Sequence, residues 1–514
     1  MSHLSRRHFL AGSAGSALAI ALHAEAQAQP KSSISVRVER DPELVDPAHR
    51  TSPADGDICG AVYQSLVRHK ANSGELENDA AAEITQVSPT MVDFRLKPGL
   101  MFTDGFGEMT AEDAKFSFER IGLPPVGGAR PSLYKGDWTN LERVEVTGQY
   151  TGRIVLSQPR ASLFQIAIGD YSGSIVSKKA VEQRGAEFGM RPVGSGPYQL
   201  ASLERQRGVS LRANPGYSGP KPAFNELNVR FIQDPKTTEL ALRSGELDFA
   251  VLPPSVAEPL RGTSGLTVTE QPAIAYVWLG MNTEKPPLSD LRVREAIRLA
   301  LDVDQMLLAG YNGRAPRLNT LLPPPVPGHW REAPVYRRDL AKARTLLQQA
   351  GVSNLRLRLL VLNQPVFANM ALVARSLLQE IGITVEVDAQ DGGTFNVAGR
   401  GDTGRNLDMF ILRFNGKLDP NFIMQWFVSG QIGNWNWQRW NSPEFDKLYD
   451  QAATEMDAQR RTQLVIDAQR AMDQSGAFVW LTNDVAFLVH RSWLKPASMP
   501  GWINWQYPFF SVAT

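Results

Sequence analysis

The spacing of hydrophobic and polar residues predicts short strands and amphipathic helices that alternate along the chain. Apolar residues in alternate positions predict strands at 34–38, 355–359 and 383–387. Apolar residues three and four positions apart predict helices at 293–301 and 370–381. The second helix lies between two of these strands, an order that favours parallel strands joined by a right-handed crossover. The chain is therefore expected to have an α/β fold.

One segment, residues 93–120, combines several of these signals. A short alternating strand is followed by turn pairs at 98–99 and 104–105. Thr110 then precedes a run with acidic residues in its first turn, which is typical of a capped helix. The segment contains no pair of nucleophile and base, no metal-ligand spacing and no phosphate-binding loop. It therefore predicts a structural unit and not a catalytic one.

The composition is that of an ordinary globular protein. The chain has 514 residues, of which 43% are hydrophobic and 21% are charged. This length suggests about two to four domains. The formal net charge of +1 argues against a nucleic-acid partner, because binding phosphates requires a concentrated basic surface.

Residues 1–28 are expected to be an export signal. Arg6 and Arg7 precede a mildly apolar stretch at 11–22 that is rich in Ala and Gly. The pattern Ser-Arg-Arg-x-Phe-Leu resembles the twin-arginine signal, which directs folded proteins to the twin-arginine translocase. The alternative is a general secretory signal in which the arginine pair is incidental.

Cleavage of this signal is expected after Ala26 or Ala28, because small residues occupy the positions before each. Cys59 is the only cysteine, and it lies far beyond the signal. The mature protein is therefore not expected to be a lipoprotein with Cys at its new N-terminus. A free periplasmic protein is the resulting hypothesis.

The sequence contains few signals of catalysis. The seven histidines are scattered, and no HExxH motif is present. Residues 194–196 lack the spacing of a nucleophile elbow, and no Walker loop or dinucleotide-binding motif is found. The protein is therefore expected not to be an enzyme and to need no cofactor or metal. A site assembled from distant residues is the alternative.

Several blocks of the sequence resemble a known family. Residues 93–120, Leu240–Asp248 and Met281–Asp302 resemble, in this order, signature segments of the peptide- and nickel-type extracellular solute-binding proteins of ABC importers. Thr103 stands where that family usually has His, and the Pro that usually follows the turn is missing. The similar blocks extend from about residue 46 to residue 480, which is nearly the whole mature chain.

The resemblance implies a periplasmic-binding-protein fold, in which two α/β lobes surround a cleft and an extra, smaller domain is added. Its implied division is lobe I at 29–56, 189–275 and 481–514, the extra domain at 57–188, and lobe II at 276–480. The apolar stretches 275–279 and 477–481 are candidate crossings between the lobes.

The ligand is expected to bind at the loop that follows a strand at 408–412. In peptide-binding relatives an acid in this loop pairs with the α-amino group of the peptide, whereas here Gly416 or Lys417 takes its place. The cations Arg413 and Lys417 favour a carboxylate, a phosphate or an acidic sugar, so free dipeptides are expected to bind poorly. Asp419 matches a later, structural Asp-Pro pair. The alternative is that both cations are solvated loop charges.

Aromatic residues near this loop complete the predicted site. Trp435 and Trp437 are interleaved with short amides, a combination that suits a polar, sugar-like or peptide-like ligand, although packing in the core is an equal alternative. The predicted ligand-binding residues are therefore Arg413, Asn415, Lys417, Asp419, Trp435 and Trp437.

The function implied by the resemblance is a periplasmic receptor that captures a small polar solute, peptide-like or conjugated and acidic, and delivers it to an ABC permease. The protein is expected to act as a monomer and to close its lobes over the ligand. Two alternatives remain at this stage. One is an enzyme or a heme or metal carrier that uses the same cleft, and the other is a ligand sensor that docks a chemoreceptor.

Overall fold

The computed structural model describes residues 32–125, 130–499 and 504–513. The predicted export signal, with Arg6, Arg7 and both cleavage positions, lies outside the described residues.

The largest sheet among the described residues joins distant parts of the chain. Its seven strands, in spatial order, are Tyr198–Glu204, Gly208–Ala213, Glu226–Phe231, Ser33–Val38, Phe249–Leu252, Val485–Arg491 and Leu266–Pro272. The strand Ser33–Val38 is parallel to both of its neighbours, and the other pairs are antiparallel. Ile34 and Val36 are fully buried, so the predicted alternation marks the face of this strand that packs into the core.

A second sheet is built from the later part of the chain. Its five strands, in spatial order, are Thr384–Gln390, Arg356–Leu362, Met409–Asn415, Ala275–Met281 and Phe478–Thr482. The first three are parallel, and the last two are antiparallel to their neighbours. The helix Pro365–Gln379 connects the two parallel strands Arg356–Leu362 and Thr384–Gln390. The predicted strand–helix–strand unit and the α/β fold class are confirmed.

A smaller antiparallel sheet contains the segment that was easiest to interpret from the sequence. Its four strands, in spatial order, are Ala81–Ser88, Met91–Leu96, Thr151–Leu156 and Leu141–Val146. The helix Ala111–Gly122 begins after Thr110, and the Asp113 carboxylate accepts a hydrogen bond of 2.9 Å from the Thr110 backbone N–H. The predicted strand, turns and capped helix are therefore confirmed.

The remaining elements are short strand pairs and helices. Two-stranded pairings join Gln64–Ser65 to Ser174–Ile175, Val67–His69 to Leu76–Asn78, Met101–Phe102 to Gly107–Glu108, and Leu494–Lys495 to Ser511–Val512. The α-helices of the described residues are Pro53–Val62, Ala111–Gly122, Lys178–Arg184, Pro235–Ser244, Pro254–Ala257, Leu291–Ala300, Val303–Tyr311, Leu340–Gln349, Pro365–Gln379, Gly392–Phe395, Pro420–Met424, Pro443–Thr454 and Ala458–Gln474.

The chain passes between the two large sheets at two adjacent places, residues 273–274 and 483–484. The Asn483 side-chain amide donates to the Ala273 carbonyl at 3.1 Å, so the two crossings are tied side by side. The predicted crossings at 275–279 and 477–481 are instead parts of strands in the five-stranded sheet. Their unbroken apolar character reflects burial on both faces of a central sheet. The predicted domain boundaries stay a prediction.

The last described segment, residues 504–513, packs against elements from the first part of the chain. The Trp505 backbone N–H donates to the buried Asp57 carboxylate at 3.0 Å. The Trp505 ring meets Phe249 edge-on, with 4.6 Å between ring centroids. Residues separated by more than four hundred positions thus share one core.

Candidate functional site

A small cavity lies where the crossing at 273–274, segments near the four-stranded sheet and the loop after the strand Met409–Asn415 meet. Its lining residues are His69, Gln165, Asp170, Ile274, Lys417, Leu418, Met499 and Asn504. Its open volume is about 10 Å3, which is close to the space that one water molecule needs. The lining comes from segments far apart in the sequence, and the space can admit a single small group of a ligand and not a whole ligand.

Close packing of Gly416 against Ile274, in the crossing at 273–274, positions the loop that carries Lys417. The Gly416 N–H donates to the Ile274 carbonyl at 2.5 Å. A Cβ atom at Gly416 would lie 2.7 Å from the Ile274 side chain, 2.8 Å from the Ile423 side chain and 2.9 Å from the Ile274 carbonyl oxygen. Only glycine fits here, and the next residue, Lys417, is therefore placed at the cavity.

The Lys417 ammonium group is paired with two carboxylates from turns beside the four-stranded sheet. Its Nζ lies 2.6 Å from Asp170 Oδ2 and 3.2 Å from Asp137 Oδ2. Burial opposes the charge on Lys417, but the two aspartates raise its pKa above the ordinary value. Burial likewise opposes ionisation of Asp170, yet Lys417 and then Arg50 lower the pKa of that carboxyl. Lys417 and Asp170 therefore hold each other in the charged form at neutral pH.

A buried tryptophan fixes the two turns that carry the aspartates. The Trp138 indole N–H donates to the Ser172 carbonyl at 2.9 Å, which joins the turn Lys135–Trp138 to the turn Tyr171–Gly173. The Trp138 ring also stacks on Phe118 of the helix Ala111–Gly122, with centroids 4.7 Å apart. The segment that the sequence marked as structural thus supports the cavity wall.

Three buried polar atoms of cavity residues have no hydrogen-bond partner within the described residues. They are His69 Nδ1, Gln165 Oε1 and Asn504 Oδ1. Burial lowers the pKa of His69, so its ring is neutral at neutral pH. A buried polar atom without a partner costs about 1–3 kcal/mol, so these atoms are suited to hydrogen bonds with a ligand or an enclosed water.

Arg413 and Asn415, two of the predicted ligand-binding residues, lie beside the crossing at 483–484. The Arg413 guanidinium pairs with Asp484 of the second crossing and donates to the Asn415 side-chain carbonyl at 2.8 Å. Burial opposes the Arg413 charge, but Asp484 raises the pKa of Arg413 above its ordinary value. This cation is therefore neutralised within the protein, and its predicted contact with a ligand stays a prediction.

The remaining predicted residues lie outside the cavity lining. Asp419 caps the helix Pro420–Met424, and its carboxylate also pairs with Arg461 at 2.7 Å. Trp437 is 2% exposed and packs against Phe410 at 5.6 Å between centroids, as in the packing alternative.

Trp435 is half-buried and meets Phe414 edge-on at 5.8 Å. Of the six predicted residues, Lys417 is the one that lines the cavity. Ligand contacts of the others stay predictions.

Sequence reasoning missed most of the cavity residues. Asp137 and Asp170 lie in turns, where aspartate is common for local reasons, and no spacing relates them to Lys417. The polar cavity residues missed are His69, Gln165, Asp170 and Asn504, and Asp137 was missed as the second acidic partner of Lys417. One signal in the sequence pointed to acidic partners. Lys417 lies in a predicted cleft, and a lysine that is buried there needs a counter-charge.

Two further observations limit the chemistry of the described residues. No helix among them is both long enough and apolar enough to cross a bilayer. No group of three or more His, Cys, Asp or Glu side chains within the same residues is arranged to hold a metal ion.

Comparison with known proteins agrees with the family resemblance. The family described as bacterial extracellular solute-binding proteins, family 5, middle region, matches residues 75–435. Over 469 residues, the chain is 27% identical to the probable D,D-dipeptide-binding periplasmic protein DdpA of Escherichia coli K12, with 88% of this chain and 89% of that protein covered. It is 29% identical over 505 residues to the di/tripeptide-binding protein 2 of Pseudomonas aeruginosa UCBPP-PA14, with coverages of 92% and 93%.

A solved structure supports the same fold. The crystal structure of the ABC transporter substrate binding protein CtaP from Listeria monocytogenes matches with a TM-score of 0.85 and 20% identity, and the match covers 95% of this chain and 100% of that one. Together with the family match over most of the chain, the fold agrees with the family predicted from the sequence blocks. The chain belongs to the family-5 bacterial extracellular solute-binding proteins, and it is a periplasmic solute-binding protein.

Proposed function

We propose that this protein captures a small polar ligand between its lobes and delivers it to an ABC permease, without catalysing a reaction. The observation that supports this function is the set of unpartnered polar atoms, His69 Nδ1, Gln165 Oε1 and Asn504 Oδ1, around one cavity between distant segments. The family match favours a receptor over the alternatives of a cleft enzyme or a metal carrier.

The ligand is peptide-like, with neutral hydrogen-bond donors at the cavity. Two relatives are named for binding D,D-dipeptides and di/tripeptides. Gln165 Oε1 and Asn504 Oδ1 are acceptors, and an amide N–H or a hydroxyl group can donate to them. Unpaired cations would favour an acidic ligand, whereas Arg413 and Lys417 both have acidic partners. An acidic group on the ligand stays a prediction.

A ligand screen tests this function. Polar metabolites, including dipeptides, N-acyl peptides, sugar–amino acid conjugates and acidic sugars, are added singly to the mature protein. A ligand that binds the native state raises the melting temperature, and calorimetry then measures its affinity. Gln165→Ala should weaken binding by roughly 2–10-fold, the range expected for one neutral hydrogen bond.

The matched control is Gln149→Ala, because Gln149 is exposed and lies outside the cavity lining. This control should leave affinity unchanged. If a compound raises the melting temperature and Gln165→Ala and Gln149→Ala change its affinity equally, the proposed site is wrong.

The twin-arginine route of export is also part of the proposal, as is a monomeric state. The support for the route is the Arg6-Arg7 pair before a weakly apolar stretch. Replacing both arginines by lysine keeps the charge, so a general secretory signal should still work. We expect loss of the protein from the periplasmic fraction, measured by cell fractionation. Normal periplasmic amounts of the double variant would contradict the twin-arginine route.

A further inference from the structure

Asp137 and Asp170 form a cation site that the protein fills with its own side chain. Their carboxylates are 9% and 11% exposed, and the Lys417 side chain that they share is 15% exposed. Three carboxylate oxygens lie within 3.3 Å of Lys417 Nζ. An ammonium group has three N–H donors, so these contacts satisfy the whole group.

The origin of the three charges matters for ligand binding. Both aspartates belong to turns near the four-stranded sheet, whereas Lys417 follows a strand of the five-stranded sheet. The Lys417 position is fixed by its neighbour Gly416, which cannot move away from the Ile274 backbone without losing the 2.5 Å hydrogen bond. Lys417 is therefore a tethered cation held at the cavity wall.

A ligand with a free ammonium group would compete with this tethered cation. To reach Asp170 it must displace Lys417, whose charge would then be buried without a partner. Leaving one member of a buried ion pair without its partner is strongly unfavourable. A ligand with neutral donors avoids this cost, because Gln165 Oε1 and Asn504 Oδ1 accept hydrogen bonds without disturbing the pair.

We propose that Lys417 is a specificity-determining residue, which excludes ligands with a free ammonium group by occupying Asp137 and Asp170. This inference rests on the proposed function, because it takes the cavity as the ligand site. Ligands with a blocked or absent amine are accepted at this position, and ligands with a free amine are rejected.

Calorimetry with two fixed probes tests the inference. The probes are L-Ala-L-Ala and N-acetyl-L-Ala-L-Ala, and the proteins are the wild type and the Lys417→Met variant. Removing the lysine vacates the carboxylate pair, so the variant should bind L-Ala-L-Ala at least about tenfold more tightly than the wild type does. The affinity for the acetylated probe should not rise. Lys417→Arg, which keeps a cation, is the matched control and should behave as the wild type.

A second variant covers the case in which Lys417→Met does not fold. The double variant Asp137→Asn, Lys417→Met leaves one carboxylate, Asp170, and the same gain for L-Ala-L-Ala is expected. Equal affinity of wild type and variant for the free dipeptide, or an equal gain for both probes, would overturn the inference. Both probes are named compounds, so the experiment does not require the protein's own ligand. Absence of binding of both probes to every variant would count against the cavity as the ligand site, and therefore against the proposed function as well.

Discussion

At the scale of the residue, Asp46 shows how one buried acid contributes to stability. Its carboxylate accepts hydrogen bonds of 2.9 and 2.6 Å from Arg120, and His49 Nδ1 lies 3.1 Å away. Burial favours the neutral acid, but His49 and Arg120 hold the pKa of Asp46 well below its usual value. Asp46→Asn should lower the free energy of unfolding by about 3 kcal/mol at pH 7.

The pH dependence of this difference follows from the direction of the shift. Because the pKa is lower in the folded state, the unfolded state binds more protons, and the contribution of Asp46 is lost as the pH falls below about 4. The gap between wild type and variant should therefore shrink in acid, as measured by urea unfolding at several pH values. Asp93→Asn is the control, because the Asp93–Arg153 pair is well exposed and should contribute less than about 1 kcal/mol. A gap that does not change with pH would contradict this account.

At the scale of the element, the strand Met409–Asn415 and the loop after it depend on Gly416. The methyl group of Gly416→Ala would lie 2.9 Å from the Ile274 carbonyl oxygen, a backbone atom of the crossing at 273–274. We expect a loss of roughly 1–3 kcal/mol in stability, the usual range for overpacking, and weaker ligand binding because Lys417 is displaced. Thermal unfolding and calorimetry measure the two effects.

Gly430→Ala is the matched control in the same part of the chain. A Cβ atom at Gly430 would meet nothing within 4 Å, so the Gly430→Ala variant should be nearly as stable as the wild type. If both variants unfold at the same temperature as the wild type, the loop tolerates a side chain and close packing does not position Lys417.

At the scale of the whole molecule, the ion pairs of Lys417 join the loop after a strand of the five-stranded sheet to turns beside the four-stranded sheet, and we expect lobe closure to bring these parts together. Asp137→Asn with Asp170→Asn leaves the ammonium group buried without a counter-charge, so the lobes should separate in solution. Small-angle scattering should show a larger radius of gyration for this variant than for the wild type, with ligand restoring the compact form. Identical scattering from the two ligand-free proteins would show that the pairs do not control closure.

The sequence predicted local structure better than it predicted the site. Regular spacing of apolar residues identified the strand–helix–strand unit that ends at residue 390, and Thr110 identified a helix start, because both depend on neighbours in the chain. The partners of Lys417 lie 247 and 280 positions away, and no local pattern reports such a distance. The sequence therefore predicted the positive charge of the loop, but it did not predict that Asp137 and Asp170 neutralise Lys417.

The tryptophans illustrate the same limit. Trp435 and Trp437 are two positions apart in a loop, yet one is half-buried and the other is enclosed by Phe395 and Phe410. Composition identifies an aromatic cluster, but the orientation of each ring depends on strands from elsewhere in the sheet.

The position of Asn504 in the chain makes the pocket depend on a segment that follows the last strand of both large sheets. A chain that ends after residue 491 contains every strand of both large sheets, but it lacks one wall of the cavity. A product truncated at this point would therefore contain the strands of both large sheets and still lack a complete pocket.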